Sequence, residues 1–253
     1  MTRRTLIAAI AALLSFCLAG CSFVGNLQDT TITETTDDPT IPPASQESTT
    51  EQPENETTLQ ETTALPEPSD EDFVKIKDYI PDIVIDLRYS TDNNFTNQQI
   101  YDFTDAWLRF GTVKKLLQVQ EELKESGYRL KIWDGFRPPS AQFKLWDVCP
   151  DPTYVSNPNN GFSSHSRGNT VDITLVFADG TELVMPTGFD DFSQKADRDY
   201  SDCSKDAADN ALFLEELMIK YGFKPYFGEW WHFTDTQSYP VDQSFEPATA
   251  ADS

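Results

Sequence analysis

Apolar positions change their spacing several times beyond residue 70, and each change predicts an element. In "DIVIDLRYS" Ile83, Ile85 and Leu87 alternate with other residues, the period of a strand. "NNFTNQQIYDF" is polar with embedded aromatics and reads as a loop. From Ala106 to Lys124 the apolar positions Leu108, Val113, Leu116, Leu117, Val119 and Leu123 recur at helical spacing, and Gly127 supplies a stop. "YRLKIWD" is a second strand. Pro138 and Pro139 suit the first turn of a helix reaching about Val148. An Asn-, Pro- and Gly-rich loop runs from Cys149 to Phe162. "TVDITLVFADGTELV" reads as a hairpin around Asp179-Gly180, residues 207–221 as a helix ended by Gly222, and "WWHFT" as a last strand. Interspersed helices and antiparallel-type turns predict an α+β fold: a small, mainly antiparallel sheet with flanking helices. No repeat period is visible.

The first seventy residues do not share this patterning. Arg3 and Arg4 precede an apolar run, Thr5 to Leu18, that is too short for a stable membrane span. "LAGC", ending at Cys21, resembles the lipobox of bacterial lipoproteins, which implies lipidation of Cys21. The plainer alternative is a secretory leader cut near Ala19 or Gly20. Either way the protein is expected outside the cytoplasm; on the lipobox reading residues 1–21 are the leader and Cys21 anchors the protein by lipid to the outer face of the bacterial cell membrane. Residues 22–70 hold eleven Asp or Glu, twelve Thr, six Pro and no Lys or Arg. With no aromatic after Phe23, such a segment cannot bury enough apolar surface to offset its chain entropy, so it reads as a disordered tether.

Residues 71–253 are long enough for one domain with its own core. Their 31 acids against 17 bases, with no basic run, exclude a nucleic-acid partner. Cys149 and Cys203 are the cysteines left beyond residue 21, and spacing leaves open whether they pair. The oligomeric state is equally open.

The chain has two histidines. His232 lies in "GEWWHF", three residues after Glu229, with two tryptophans between. His165 lies in "SSHSRGNTVDITL", seven residues before Asp172. Zinc accepts His and Asp, and catalytic zinc keeps three protein ligands plus an open position. His165, Asp172 and His232 make that set for one ion per chain, and Glu229 is the base for the attacking water. Residues i and i+3 of a regular strand face opposite ways, so Glu229 and His232 share a site only if the backbone bends over Gly228–Trp230. Singly, each residue has a bland alternative: a buried histidine is usually a satisfied core residue, and a Trp pair usually core. A site of Cys149, Cys203 and the histidines lacks the paired short spacings of structural zinc.

Taken together, "SSHSRGNTVDITL" and "EWWHF" resemble the zinc D-alanyl-D-alanine dipeptidases of the VanX type. "DLRYSTDNNFT", "WDGFRPPSAQ" and "MPTGFDDF" are similar to further segments of that family, in the family's order, over roughly residues 79–240. The resemblance implies His165, Asp172 and His232 as zinc ligands, Glu229 as catalytic base and Arg137 over the scissile carbonyl. It implies Tyr89 and Asp190 at the substrate's ammonium end and Ser163 at its far end. Phe136 stands where the family often has Tyr, and "MPTG" replaces its Met-Gly, which puts the placing of Asp190 in question. The implied reaction is hydrolysis of D-Ala-D-Ala, a small dipeptide, by metal-activated water. The alternatives are a D,D-carboxypeptidase acting on peptidoglycan stem peptides and a non-catalytic wall-binding module.

Overall fold

In a computed structural model, residues 67–249 are described, and they run through β1 (Phe73–Lys75), the single-turn helix α1 (Ile76–Tyr79), β2 (Val84–Ile85), β3 (Trp107–Arg109), α2 (Phe110–Glu125), β4 (Tyr128–Asp134), α3 (Pro139–Val148), β5 (Thr170–Phe177), α4 (Lys205–Lys220), β6 (Phe223–Tyr226) and β7 (Glu229–Asp235). The expected leader, Cys21 and all but the last four residues of the expected tether lie outside the described residues. Asp70, placed in the tether by composition, already belongs to the fold: its carbonyl accepts from Gly111 N and its carboxylate pairs with Lys114.

Five strands form one sheet in the order β2-β4-β5-β7-β6, antiparallel except for β2 with β4. The α+β architecture is therefore the one the patterning predicts. α2 lies against β4, and α4 against β5, β6 and β7. Their apolar stripes (Val113, Leu116, Val119 and Leu123; Leu214, Leu217 and Met218) are buried with Leu130, Ile132, Ile173 and Leu175 of the central strands. The helix expected from residue 207 starts at Lys205, because the Ser204 side chain accepts from Ala207 N and caps it.

Three expectations change. The strand over 82–90 shrinks to Val84–Ile85, and Arg88–Ser90 forms a 3-10 turn instead. The start of the long helix, Trp107–Arg109, is extended, because it pairs with β1 as a second, two-stranded sheet. The far arm of the hairpin beyond Asp179-Gly180 reduces to one bridge, Val176 with Glu182.

Two departures from regular pairing prepare the site. β4 shifts register between Ile132 and Asp134, and β6–β7 shifts between Pro225 and Tyr226. The tight turn at Phe227–Gly228 closes the β6–β7 hairpin, and the irregularity falls after it, over residues 230–232 of β7. It breaks the strand's alternation, so adjacent Trp230 and Trp231 are both fully buried. Each such ring removes on the order of 150–250 Å² from water, roughly 4–6 kcal/mol at about 25 cal/mol per Å². That burial holds the bulge against regularisation.

Candidate metal centre and active site

Asp134, Asp172 and His232 form one row across β4, β5 and β7, each the register partner of the next. Facing residues of paired strands project to the same side, so the row presents two carboxylates and an imidazole together. His165 reaches the row from the 3-10 turn Ser164–Arg167, just before β5. Gly168 ends that turn at φ +74, and a Cβ there would stand 2.3 Å from the Phe73 ring. Only glycine meets both demands, and the tight turn delivers His165 beside the strand that carries Asp172.

His165 Nδ1 lies 2.9 Å from the Gly135 carbonyl. A carbonyl only accepts, so Nδ1 carries the proton and Nε2 presents its lone pair to the site. That Nε2 is 3.4 Å from Asp172 Oδ2, and His232 Nδ1 is 3.0 Å from Asp172 Oδ1. The three ligand atoms all lie within 4.8 Å of one another. Bonds of about 2.0–2.1 Å in a tetrahedron separate ligand atoms by roughly 3.3 Å. Asp172 Oδ1 is buried and, although His232 Nδ1 is 3.0 Å away, accepts no well-aligned hydrogen bond, so a cation would serve it better. The donor set and its spacing therefore fit a divalent ion. Burial would raise the Asp172 pKa, but His165 and His232 outweigh it and hold the carboxyl well below its usual range.

Glu229 Oε2 lies 3.4 Å from His232 Nδ1, so the bulge brings the two residues to one place. Burial, then the nearby Asp172 charge, raise the Glu229 pKa. A base whose proton affinity is lifted toward neutrality is the kind that proton transfer in water-mediated hydrolysis needs.

Asp134, to which the sequence alone gave no part, anchors the opposite wall. Fully buried, it accepts from Tyr101 Oη (2.7 Å), Gly135 N (2.9 Å) and Arg137 Nη2 (2.5 Å). Arg137 also donates to Gln142 Oε1 and Tyr101 Oη. Three of its five N–H groups are thereby engaged, and two remain for a ligand in the cavity that Arg137 lines. The findable signal was "WDG": an acid beside a glycine whose carbonyl fixes His165.

The cavity has a volume of about 330 Å³, and every residue named as a candidate in the domain lines it: Tyr89, Arg137, Ser163, His165, Asp172, Asp190, Glu229 and His232. Tyr89 Oη donates to Asp190 Oδ2 at 2.8 Å. Asp190 sits at φ +55, the left-handed region, after the irregular "MPTG" segment. Burial raises its pKa well above its usual value, and it has no ion-pair partner among the described residues. Ser163 caps the 3-10 turn by accepting from His165 N. Cys149 and Cys203 are free thiols.

Residues 69–249 match the peptidase family M15 described as "D-ala-D-ala dipeptidase". The chain is 35% identical over 172 residues to the D-alanyl-D-alanine dipeptidase of Escherichia coli K12, covering 67% of this chain and 89% of that one. It is 30% identical over 181 residues to the D-alanyl-D-alanine dipeptidase of Enterococcus faecium, covering 64% of this chain and 90% of that one. Against the Streptomyces coelicolor protein of the same description the identity is 31% over 199 residues, covering 69% of this chain and 96% of that one.

Proposed function

The chain belongs to the D-Ala-D-Ala dipeptidase family of metallopeptidases, and from that premise we propose that it cleaves D-alanyl-D-alanine with one zinc ion held by His165, Asp172 and His232. The observation that carries the metal reading is Asp172, a buried carboxylate between two imidazoles, with ligand atoms of all three within 4.8 Å of one another. A zinc ion bound there would polarise the scissile carbonyl and acidify the attacking water. Glu229 takes that water's proton and returns it to the leaving amine. Arg137, fixed by Asp134, Tyr101 and Gln142, directs its two free N–H groups at the charge growing on the carbonyl oxygen.

The cavity also selects the substrate. About 330 Å³ is the small end of the ligand-pocket range of roughly 300–1,000 Å³. Among the described residues no cation forms an ion pair with the buried Asp190 carboxyl, and a free ammonium group would supply one. Ser163, at the turn of His165, serves the substrate's carboxylate end. An acylated stem peptide has no ammonium group there and would leave Asp190 uncompensated. The deciding experiment is hydrolysis of D-Ala-D-Ala beside an N-acyl-D-Ala-D-Ala: turnover confined to the free dipeptide supports this reading, and faster cleavage of the acyl peptide replaces it with a carboxypeptidase.

The leader-like sequence supports a reading of the protein's place. The apolar run Thr5–Leu18, the "LAGC" ending at Cys21 and the acidic segment 22–70 support export and lipid anchoring, with the domain held outside the membrane. There the substrate is dipeptide released from wall peptides, so the role is wall-peptide turnover or D-alanine scavenging.

A further inference from the structure

One side chain bonds backbone carbonyls on both sides of the bulge that joins Glu229 to His232. Arg198 lies in the segment between Asp190 and α4, with its side chain 5% exposed. Its Nε donates to Tyr226 O at 2.8 Å, on the strand before the turn, and its Nη2 donates to His232 O at 3.0 Å, on the strand after it. Its backbone N donates to Phe227 O within the turn. The remaining nitrogen, Nη1, bonds Glu215 Oε2 on α4 at 2.9 Å, and Tyr200 Oη also bonds Glu215. The guanidinium rests on Phe233, with Cζ 4.5 Å from the ring centroid. All three guanidinium nitrogens are thus engaged, and two of them span the two ends of the irregular stretch.

Resting on the reading of Glu229 as base and His232 as ligand, we propose that Arg198 is a positioning residue for the reaction. It clamps Tyr226 O to His232 O and so fixes the spacing between Glu229 and His232. A bulge disrupts the local ladder, and a guanidinium bonded to carbonyls on both strands supplies a cross-tie at that point. Glu215 holds the clamp in place from a helix that does not line the cavity. Lysine cannot substitute, because an ammonium group has no fork to reach both carbonyls at once.

The test compares R198A and R198K with the wild-type holoenzyme by two readouts: zinc affinity in competition with a chromophoric chelator, and kcat and KM for D-Ala-D-Ala. Both variants should lose about 10–100-fold in zinc affinity and in kcat, the scale for groups that orient a metal ligand, with KM near wild type. Dilute guanidinium should restore part of both losses in R198A, and sodium chloride at equal ionic strength should not. Wild-type zinc affinity and kcat in either variant would overturn the proposal, and so would a loss confined to melting temperature. Should R198A fail to fold, R198K and E215Q are measured the same way, and the same losses support the clamp or their absence overturns it. Zinc competition needs no substrate, so a wild type that holds zinc but spares D-Ala-D-Ala would sink the proposed substrate while zinc affinity in the Arg198 variants still tests the clamp.

Discussion

Asp172 and His232 are register partners on neighbouring antiparallel strands, and their nearest side-chain atoms approach to 3.0 Å while Asp172 Oδ1 accepts no well-aligned hydrogen bond. A carboxylate and an imidazole placed so closely without an aligned hydrogen bond would be completed by a cation shared with His165. The purified domain should therefore bind about one zinc, and H165A should lose it, as read by metal analysis after dialysis. At free zinc a hundred times Kd the bound ion adds about 2.7 kcal/mol of stability. For a domain of this size that is roughly 5–10 °C in Tm. A melting temperature indifferent to chelation would contradict the ligand set.

Glu229 touches His232 but is not among the converging ligand atoms. E229Q preserves shape and removes the base. It should keep its zinc and its melting temperature while kcat falls by about 10²–10⁴-fold, the usual worth of a positioned acid–base group. Near wild-type turnover by zinc-loaded E229Q would take Glu229 out of the mechanism.

What the sequence made legible was the chemistry and the long periodic elements. "YRLKIWD" and the Pro139–Val148 helix appear where the pattern puts them. The elements that escaped are short or conflicted. β1 and β3 are three residues each, below any period, and β6 holds Pro225, tolerated because the strand is an edge. Glu229 and His232 pointed to a backbone irregularity, but its place could not be read, since a bulge is set by which residues pair across strands. The supports of the site were hidden for the same reason. Asp134 and Arg198 act through contacts with Tyr101, His232 and Tyr226, none of which local sequence can reveal.

Arg137 and Asp134 are a buried ion pair, the carboxylate fully inaccessible. Removing one partner strands the other, at a cost of about 3–5 kcal/mol. D134A should therefore lower stability on that scale in chemical unfolding and depress kcat as well. R137K should lose about 10²–10³-fold in kcat, the worth of an oriented oxyanion donor, with its zinc content unchanged. Full activity in R137K would assign the oxyanion to other donors.

The proposed leader predicts a location. In a bacterial host the full-length protein should fractionate with the membrane carrying lipid on Cys21, and C21S should be released from it. Cytoplasmic recovery of the intact chain would contradict the proposed compartment.

Asp190 supplies the sharpest test of substrate class. Its carboxyl is buried, bonded by Tyr89 Oη and without an ion-pair partner among the described residues, so its ionised form is costly until an ammonium group arrives. A charge-assisted hydrogen bond is worth about 1.5–3 kcal/mol, or roughly 10–150-fold in binding. D190N should raise KM for D-Ala-D-Ala by that factor and leave the already poor cleavage of N-acyl-D-Ala-D-Ala nearly unchanged. The variant would then discriminate less between the two substrates than the wild type does. If D190N weakened both alike, Asp190 would act by shaping the cavity. Selection of the dipeptide would then rest on the size of the cavity instead of on recognition of a free amine.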